Sequence, residues 1–284
     1  MHGLSLLALA IAFSSAVGIT MKTANTRSLN FGQFMATNYL VCTVSLVACG
    51  AWRPLGQYSM FIWTLGILVG FLYVICLWLF HQAIDAGGLA LSTTLMRLSA
   101  ALPTLGSLML FSENASPQQM MGIFLAFICL PLASKEPLNL SQTGRETWKG
   151  MIWGLLLFAV YGLTDFTFKI QVELEPSADP SSYMVIIFGT ALLLTSPLLF
   201  KGARPSRDCL VWGVVLGSMN VLTTYFRIRT LAELPGAIAF PTLGLGVIAV
   251  TTVASLLIWR ERLRPVNYVF LVLASLSVIM INLG

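Results

Sequence analysis

Trp259–Pro265, WRERLRP, and Phe111–Pro117, FSENASP, write one frame twice: Phe111, Glu113 and Pro117 recur as Trp259, Glu261 and Pro265 at a constant offset of 148 residues. The frame is shared and the charge is not. Arg260, Arg262 and Arg264 of the second copy stand where the first has Ser112, Asn114 and Ser116. Each copy joins two apolar stretches, and short loops on the cytoplasmic face of a membrane collect Lys and Arg while loops on the other face do not. The two copies are therefore predicted on opposite faces of a bilayer. A unit with an odd number of spans, repeated once, inserts upside down the second time, a construction found in many secondary transporters.

Composition agrees with a membrane location. Of 284 residues, 57% are hydrophobic and only 10% charged, with mean hydropathy +0.85, whereas a soluble domain carries about 25% charged residues. The net charge of +5 resides in short loops between apolar runs, so it reads as a topology signal and not as a nucleic-acid surface. Cys42, Cys49, Cys76, Cys129 and Cys209 form no CxxC or other metal spacing and read as small packing residues. Only His2 precedes the first apolar run, so Gly3 to Thr20 reads as a span and not as a cleaved signal.

About 20 apolar residues in a helix cross the hydrocarbon core. Ten such stretches are present, at 3–21, 33–51, 60–81, 88–111, 117–134, 149–168, 182–200, 209–228, 234–258 and 265–283. Their continuous apolarity, without strict alternation, predicts helices and not a barrel. The polar insert 135–148, KEPLNLSQTGRETW, divides the chain into an N-terminal repeat, 1–134, and a C-terminal repeat, 149–284. The expected fold is all-α, with ten transmembrane helices arranged as two inverted five-helix repeats and 135–148 as a cytoplasmic linker.

Further matches run in order along both halves. Lys22 and Lys169 close spans one and six at an offset of 147; Gly66 and Gly70, and Gly213 and Gly217, form GxxxG patterns at the same offset. Asp85 and Glu233, then Gly88 and Gly236, follow at 148. GxxxG matters in lipid because it lets helix backbones approach closely where apolar burial supplies no special drive. With ten spans the termini share a face. Loops on that face hold four basic residues, Arg53, Lys169, Arg227 and Arg229, while the opposite loops hold eleven. The positive-inside rule then places both termini outside.

The paired sets of five spans, the lysines closing spans one and six, and the segment LPTLGSLMLFSENASPQQMMGI resemble the drug/metabolite transporter superfamily, specifically its ten-helix EamA-type permeases. The resemblance is carried by Pro103, Glu113 and Gly122 and extends over nearly the whole chain. The second half keeps Glu261 but has Thr251 where Pro103 would recur, with Pro241 earlier. The resemblance implies a bacterial inner-membrane transporter, monomer or homodimer, with a central cavity lined by spans one, three, four, six, eight and nine and working by alternating access.

Candidate cargo residues are those costly to bury in lipid. Arg97 lies about 13 Å into span four, where a charge costs about 2.5–3.5 kcal/mol, and its planar fork of donors suits a carboxylate or phosphate. A structural pair with a neighbouring helix is the bland alternative. Asp165, toward the outer end of span six, is the acid within a span. Asn38 and Tyr39, Thr93 and Thr94, Tyr161, Asn220 and Thr224 offer polar groups at middle depth, and Tyr73 and Trp78 aromatic walls; each also suits helix packing or helix-to-helix hydrogen bonding. Arg227 and Arg229 either snorkel to the outer interface or guide an anion into a vestibule. Pro103, Pro241, Gly244 and Gly246 are candidate hinges, or fixed kinks. Glu113 and Glu261 read as interface residues, and Ser116–Pro117 as a helix cap and first helical residue.

The histidines, His2 and His81, lie at membrane edges and HExxH is lacking, so an enzyme is not expected. Neither a selectivity-filter pattern nor a ring of charges points to a channel. No metal or organic cofactor is implied; the partners are the bilayer and a small-molecule substrate. The expected cargo is an anionic or zwitterionic metabolite such as an amino acid or organic acid, carried by a permease. A neutral sugar or other uncharged metabolite is the alternative, and a membrane receptor that binds without transport is the alternative of another class.

Overall fold

A computed structural model describes residues 2–27, 29–129, 144–200, 205–258 and 265–283. Among them lie ten α-helices: α1 His2–Thr26, α2 Phe31–Ala48, α3 Met60–Leu98, α4 Ala101–Leu110, α5 Pro117–Cys129, α6 Gly144–Leu174, α7 Pro180–Phe200, α8 Arg207–Glu233, α9 Gly236–Ile258 and α10 Pro265–Leu283. A 3-10 turn, Arg53–Gln57, precedes α3. No strand occurs among the described residues.

Seven apolar helical segments are long enough to cross a membrane: His2–Ala24, Phe31–Ala48, Met60–Phe80, Lys149–Leu174, Pro180–Phe200, Arg207–Glu233 and Gly236–Ile258. Leu95–Leu110, Pro117–Cys129 and Tyr268–Leu283 are shorter apolar helices at the other three expected spans. The chain is an all-helical, multi-pass membrane protein. Polar residues at the helix starts explain where several helices begin. Asn30 caps α2 through Gln33 N (3.2 Å), Asp179 caps α7 through Ser182 N (3.0 Å), and Ser206 caps α8 through Cys209 N (3.1 Å). At α5, Ser116 Oγ accepts from Gln119 N while Gln119 Oε1 accepts from Ser116 N, a reciprocal capping box that includes the expected Ser116–Pro117 start.

One boundary differs from the sequence expectation. The backbone remains helical from Met60 to Leu98, through the turn expected at 82–87, and the break falls at Ser99 and Ala100. Pro103 accounts for the break. It has no N–H to donate and its ring crowds the carbonyl four residues earlier, costs that are least in the first turn of a helix, and it stands in the first turn of α4. Pro241 lies inside α9, which continues through it to Ile258.

The helices form two compact units, Met1–Val74 with Ile170–Glu233 and Ile75–Lys169 with Leu234–Gly284. Each sequence half contributes to both. A repeat is a property of sequence and a compact unit a property of packing, so the two divisions need not coincide.

In the first unit, glycines set the packing. Gly213 and Gly217 of α8 face Thr37, the Asn38 carbonyl and Val41 of α2; a Cβ on Gly217 would sit 2.8 Å from that carbonyl. Gly66 and Gly70 of α3 face Ile186, the Ile187 carbonyl and Thr190 of α7 in the same way, at 2.5 Å for Gly70. α1 runs antiparallel to α8. Phe13 stacks on Phe226 with centroids 5.5 Å apart, and toward the other end Arg27 pairs with Asp208 (3.0 Å) and lies 5.3 Å over Trp212.

In the second unit, the end of α3 and then α4 run parallel to α6, with Leu95 against Gly154, Leu102 and the Ser99 carbonyl against Gly162, and Gly106 against Phe166. α5 packs on α10, where Ser277 Oγ donates to the Gly122 carbonyl at 2.7 Å. Ile123, Ala126, Leu245, Ile248, Phe270 and Ala274 build the adjoining core.

Replacing Gly70 or Gly217 by Ala should lower stability in detergent by about 1–3 kcal/mol, because a backbone carbonyl cannot retreat from the new methyl as a side chain can. Gly56→Ala, with open space around it, should leave the thermal unfolding midpoint unchanged.

Candidate functional site

Buried polar residues concentrate on α2 and α8 in the first unit and on α6 in the second. In the first unit, Asn38 is buried and its Oδ1 accepts from Asn220 Nδ2 at 3.3 Å, tying α2 to α8 beside the glycine contact. Cys42 Sγ donates to the Gly217 carbonyl at 3.3 Å in the same place. Tyr39 and Tyr73 converge on Phe188 of α7, with ring centroids 6.4 and 5.9 Å from it. Thr224 is buried one turn beyond Asn220. The structure thus brings together Asn38 with Asn220, and Tyr39 with Tyr73.

In the second unit, Arg97 is half-buried in the last turn of α3, just before the break. Tyr161 packs with Trp153 on the cluster Leu79, Ala83 and Leu157, and Trp78 meets Trp153 edge-on at 5.4 Å. Trp78 is half exposed, so its wall faces outward. Asp165 is buried one turn beyond Tyr161. Gly162 lies between them and sits against the Ser99 carbonyl, two residues from Arg97. The side chains of Thr93 and Thr94 lie outside the described residues, as does Glu261. Gly244 faces open space and Gly246 is half-buried, both within the continuous helix α9.

α6 continues its polar face from Tyr161 and Asp165 to Lys169, at four-residue spacing. Lys169 leads to a buried carboxylate with three donors. Its Nζ is 2.7 Å from Glu113 Oε1, with the two side chains only 3% and 10% exposed. The same carboxylate accepts from the backbone N–H of Gly236 and Ala237, each at 2.8 Å, and so caps the start of α9 from another segment of chain. Two forces act together. Helix N-terminal N–H groups need acceptors and favour negative charge, and a buried carboxylate needs donors and a counter-charge. Phe111 lies beneath Lys169, 5.9 Å from Nζ to the ring centroid. Ser112, immediately before Glu113, adopts a left-handed backbone with φ 51°, a conformation uncommon outside glycine.

The frame Phe111, Glu113, Pro117 is therefore an interlocked turn: the ring supports Lys169, the acid joins α6 to α9, and the proline opens α5. Sequence reading placed Glu113 at an interface without finding its partners. One signal was available, since the charge count put Glu113 and Lys169 on the same membrane face. Among the described residues, no group of three His, Cys, Asp or Glu side chains could hold a metal ion.

No family model matches the chain. A relative from Haemophilus influenzae, known only as an uncharacterized protein, is 25% identical over 95% of this chain and 94% of its own length. A protein known from its crystal structure superposes with a TM-score of 0.80 at 13% identity, over 99% of this chain and 97% of that one. That likeness shows that the fold is shared along the full length.

Glu113→Gln leaves Lys169 buried without its counter-charge, and Lys169→Met does the converse. Each should cost about 3–5 kcal/mol of stability. The double variant should cost less than the sum of the two, as read from a double-mutant cycle of unfolding midpoints, because neither charge is then left alone.

Proposed function

We propose that the protein is a secondary transporter that moves a small anionic or zwitterionic metabolite by alternating access between two inverted five-helix repeats. The observation that carries this reading is the doubled glycine contact. Gly66 and Gly70 precede Gly213 and Gly217 by 147 residues, and their partners obey a second constant offset: Ile187 follows Asn38, and Thr190 follows Val41, by 149. One interhelical joint is thus made twice, from reciprocal parts of the two halves, as an internal repeat requires. The charge asymmetry between the two loop copies supports inversion of the second set, with ten spans and both termini outside a bacterial inner membrane. The drug/metabolite, EamA-type permease reading rests on Pro103, Glu113 and Gly122 and on the lysines closing spans one and six.

For the cargo, buried polar groups narrow the choice. Asn38 and Asn220, which would hold a neutral sugar, are hydrogen-bonded to each other. Arg97 and Arg227 also have partners within the protein, but each guanidinium carries five N–H donors in a planar fork suited to carboxylates. Binding followed by translocation distinguishes a transporter from a receptor and needs neither an enzyme's catalytic set nor a cofactor.

A thermal-shift screen of purified protein against acids, amino acids and sugars, run beside Arg97→Leu, tests the cargo, since a ligand that binds the folded state stabilises it. Acids or zwitterions should raise the midpoint of the parent by several degrees and that of a well-folded Arg97→Leu by much less. Stabilisation by sugars alone would point to the neutral-metabolite alternative. The stabilising compound should then drive counterflow of its labelled form in proteoliposomes; binding without counterflow would leave a receptor.

A further inference from the structure

Hydroxyl groups inside apolar helices normally satisfy themselves by donating to the carbonyl one turn back. On α1 and α8 this is done by Ser15, Thr20 and Thr23, and by Ser218 and Thr230, all at 2.7–3.0 Å. Ser14 and Thr223 depart from the pattern. The hydroxyl oxygens of both are buried and have no hydrogen-bond partner, and Thr223 is only 7% exposed. A buried hydroxyl without a partner is costly, and where the local carbonyl is the ready solution its absence asks for another use of the group.

Both hydroxyls fall at one level of the fold. The contacts Phe13 with Phe226, and Arg27 with Trp212, fix an antiparallel register. In that register Ser14 is level with Tyr225, midway between Thr223 and Arg227, each of which lies about 3 Å from that level along the helix axis. Asn220, Thr223, Thr224 and Arg227 stand on α8 at i, i+3, i+4 and i+7, which is a single polar face. Arg227 is half-buried with its Nε enclosed, whereas Arg229 is exposed and lies over the Tyr225 ring at 6.0 Å. Of the two arginines that interrupt the apolar end of α8, one turns inward.

We propose that Ser14, Thr223 and Arg227 form a recognition site for the carboxylate group of the cargo, in the first unit and separate from Arg97. The inference rests on the transporter reading above and names the chemistry that this site recognises. The guanidinium takes the two carboxylate oxygens side by side, and each hydroxyl donates to a remaining lone pair. A guanidinium has five N–H donors, so Arg227 can hold a neighbouring group and a ligand at once. Phe13 and Phe226, next in sequence to Ser14 and Arg227, stack on each other and give the site an apolar neighbour.

The test uses the full-length protein in detergent, with lactate, succinate, alanine and glutamate as probes, each beside its carboxamide. Thr223→Val removes the hydroxyl at constant shape, Ser14→Ala removes the other, and Arg227→Lys keeps the charge but loses the fork. Because Thr223 and Ser14 have no partner, their variants should unfold at or above the parent's midpoint without ligand. They should nevertheless bind the stabilising acid about tenfold more weakly, and Arg227→Lys more weakly still, while carboxamides bind poorly throughout. If the parent is stabilised by none of the acids, the anionic-cargo reading fails and the site with it. If acids stabilise the parent and the three variants equally, the site alone is overturned.

Discussion

Close approach of backbones is the constraint on which the first unit depends. Lipid tails are as apolar as the side chains that would leave them, so helices in a bilayer gain little from burying leucine and much from contact at short range. Gly213 and Gly217 let α8 reach the carbonyl surface of α2, and Gly66 and Gly70 do the same for α3 on α7. Once these backbones are close, Asn38, Asn220 and Cys42 come within hydrogen-bonding reach. The polar contacts follow from the packing. They then make it specific, because a helix shifted by one residue would lose them.

The second unit depends on a different interaction. α9 begins on Gly236, where N–H groups are left without acceptors in the interior, and Glu113 supplies a charged acceptor from the turn between α4 and α5. A carboxylate so placed would be untenable alone, and Lys169 at the end of the polar face of α6 neutralises it. Three segments distant in sequence are thereby joined through one side chain. Phe111 and the left-handed Ser112 are local consequences of aiming that side chain.

Much of this was legible in the residues and some was not. The apolar runs, the capping residues and the GxxxG pairs signal helices and close contacts because they act within a few residues of chain. The merging of 60–98 into one helix, with its break at Ser99, was not legible: the two apolar runs suggest a turn at 82–87, yet the break falls just before the proline at 103. Among the candidate site residues, Asn38 and Asn220 proved to be partners. The unmatched hydroxyls of Ser14 and Thr223 carried no signal in a sequence where most serines and threonines bond their own helix.

The sequence by itself determined that this chain is a bundle of apolar helices, where many of them start, and that its two halves repeat a charged turn in opposite electrostatic settings. Those properties depend on composition, period and spacing, all of them local. Only the tertiary structure decided which helices touch, which halves supply each compact unit, and that Glu113, Lys169 and the first residues of α9 meet. The physical reason is that apolar periodicity in a membrane helix marks no preferred partner. The partner is chosen by small residues, unpaired backbone groups and buried charges, whose effects appear only when distant segments are brought together.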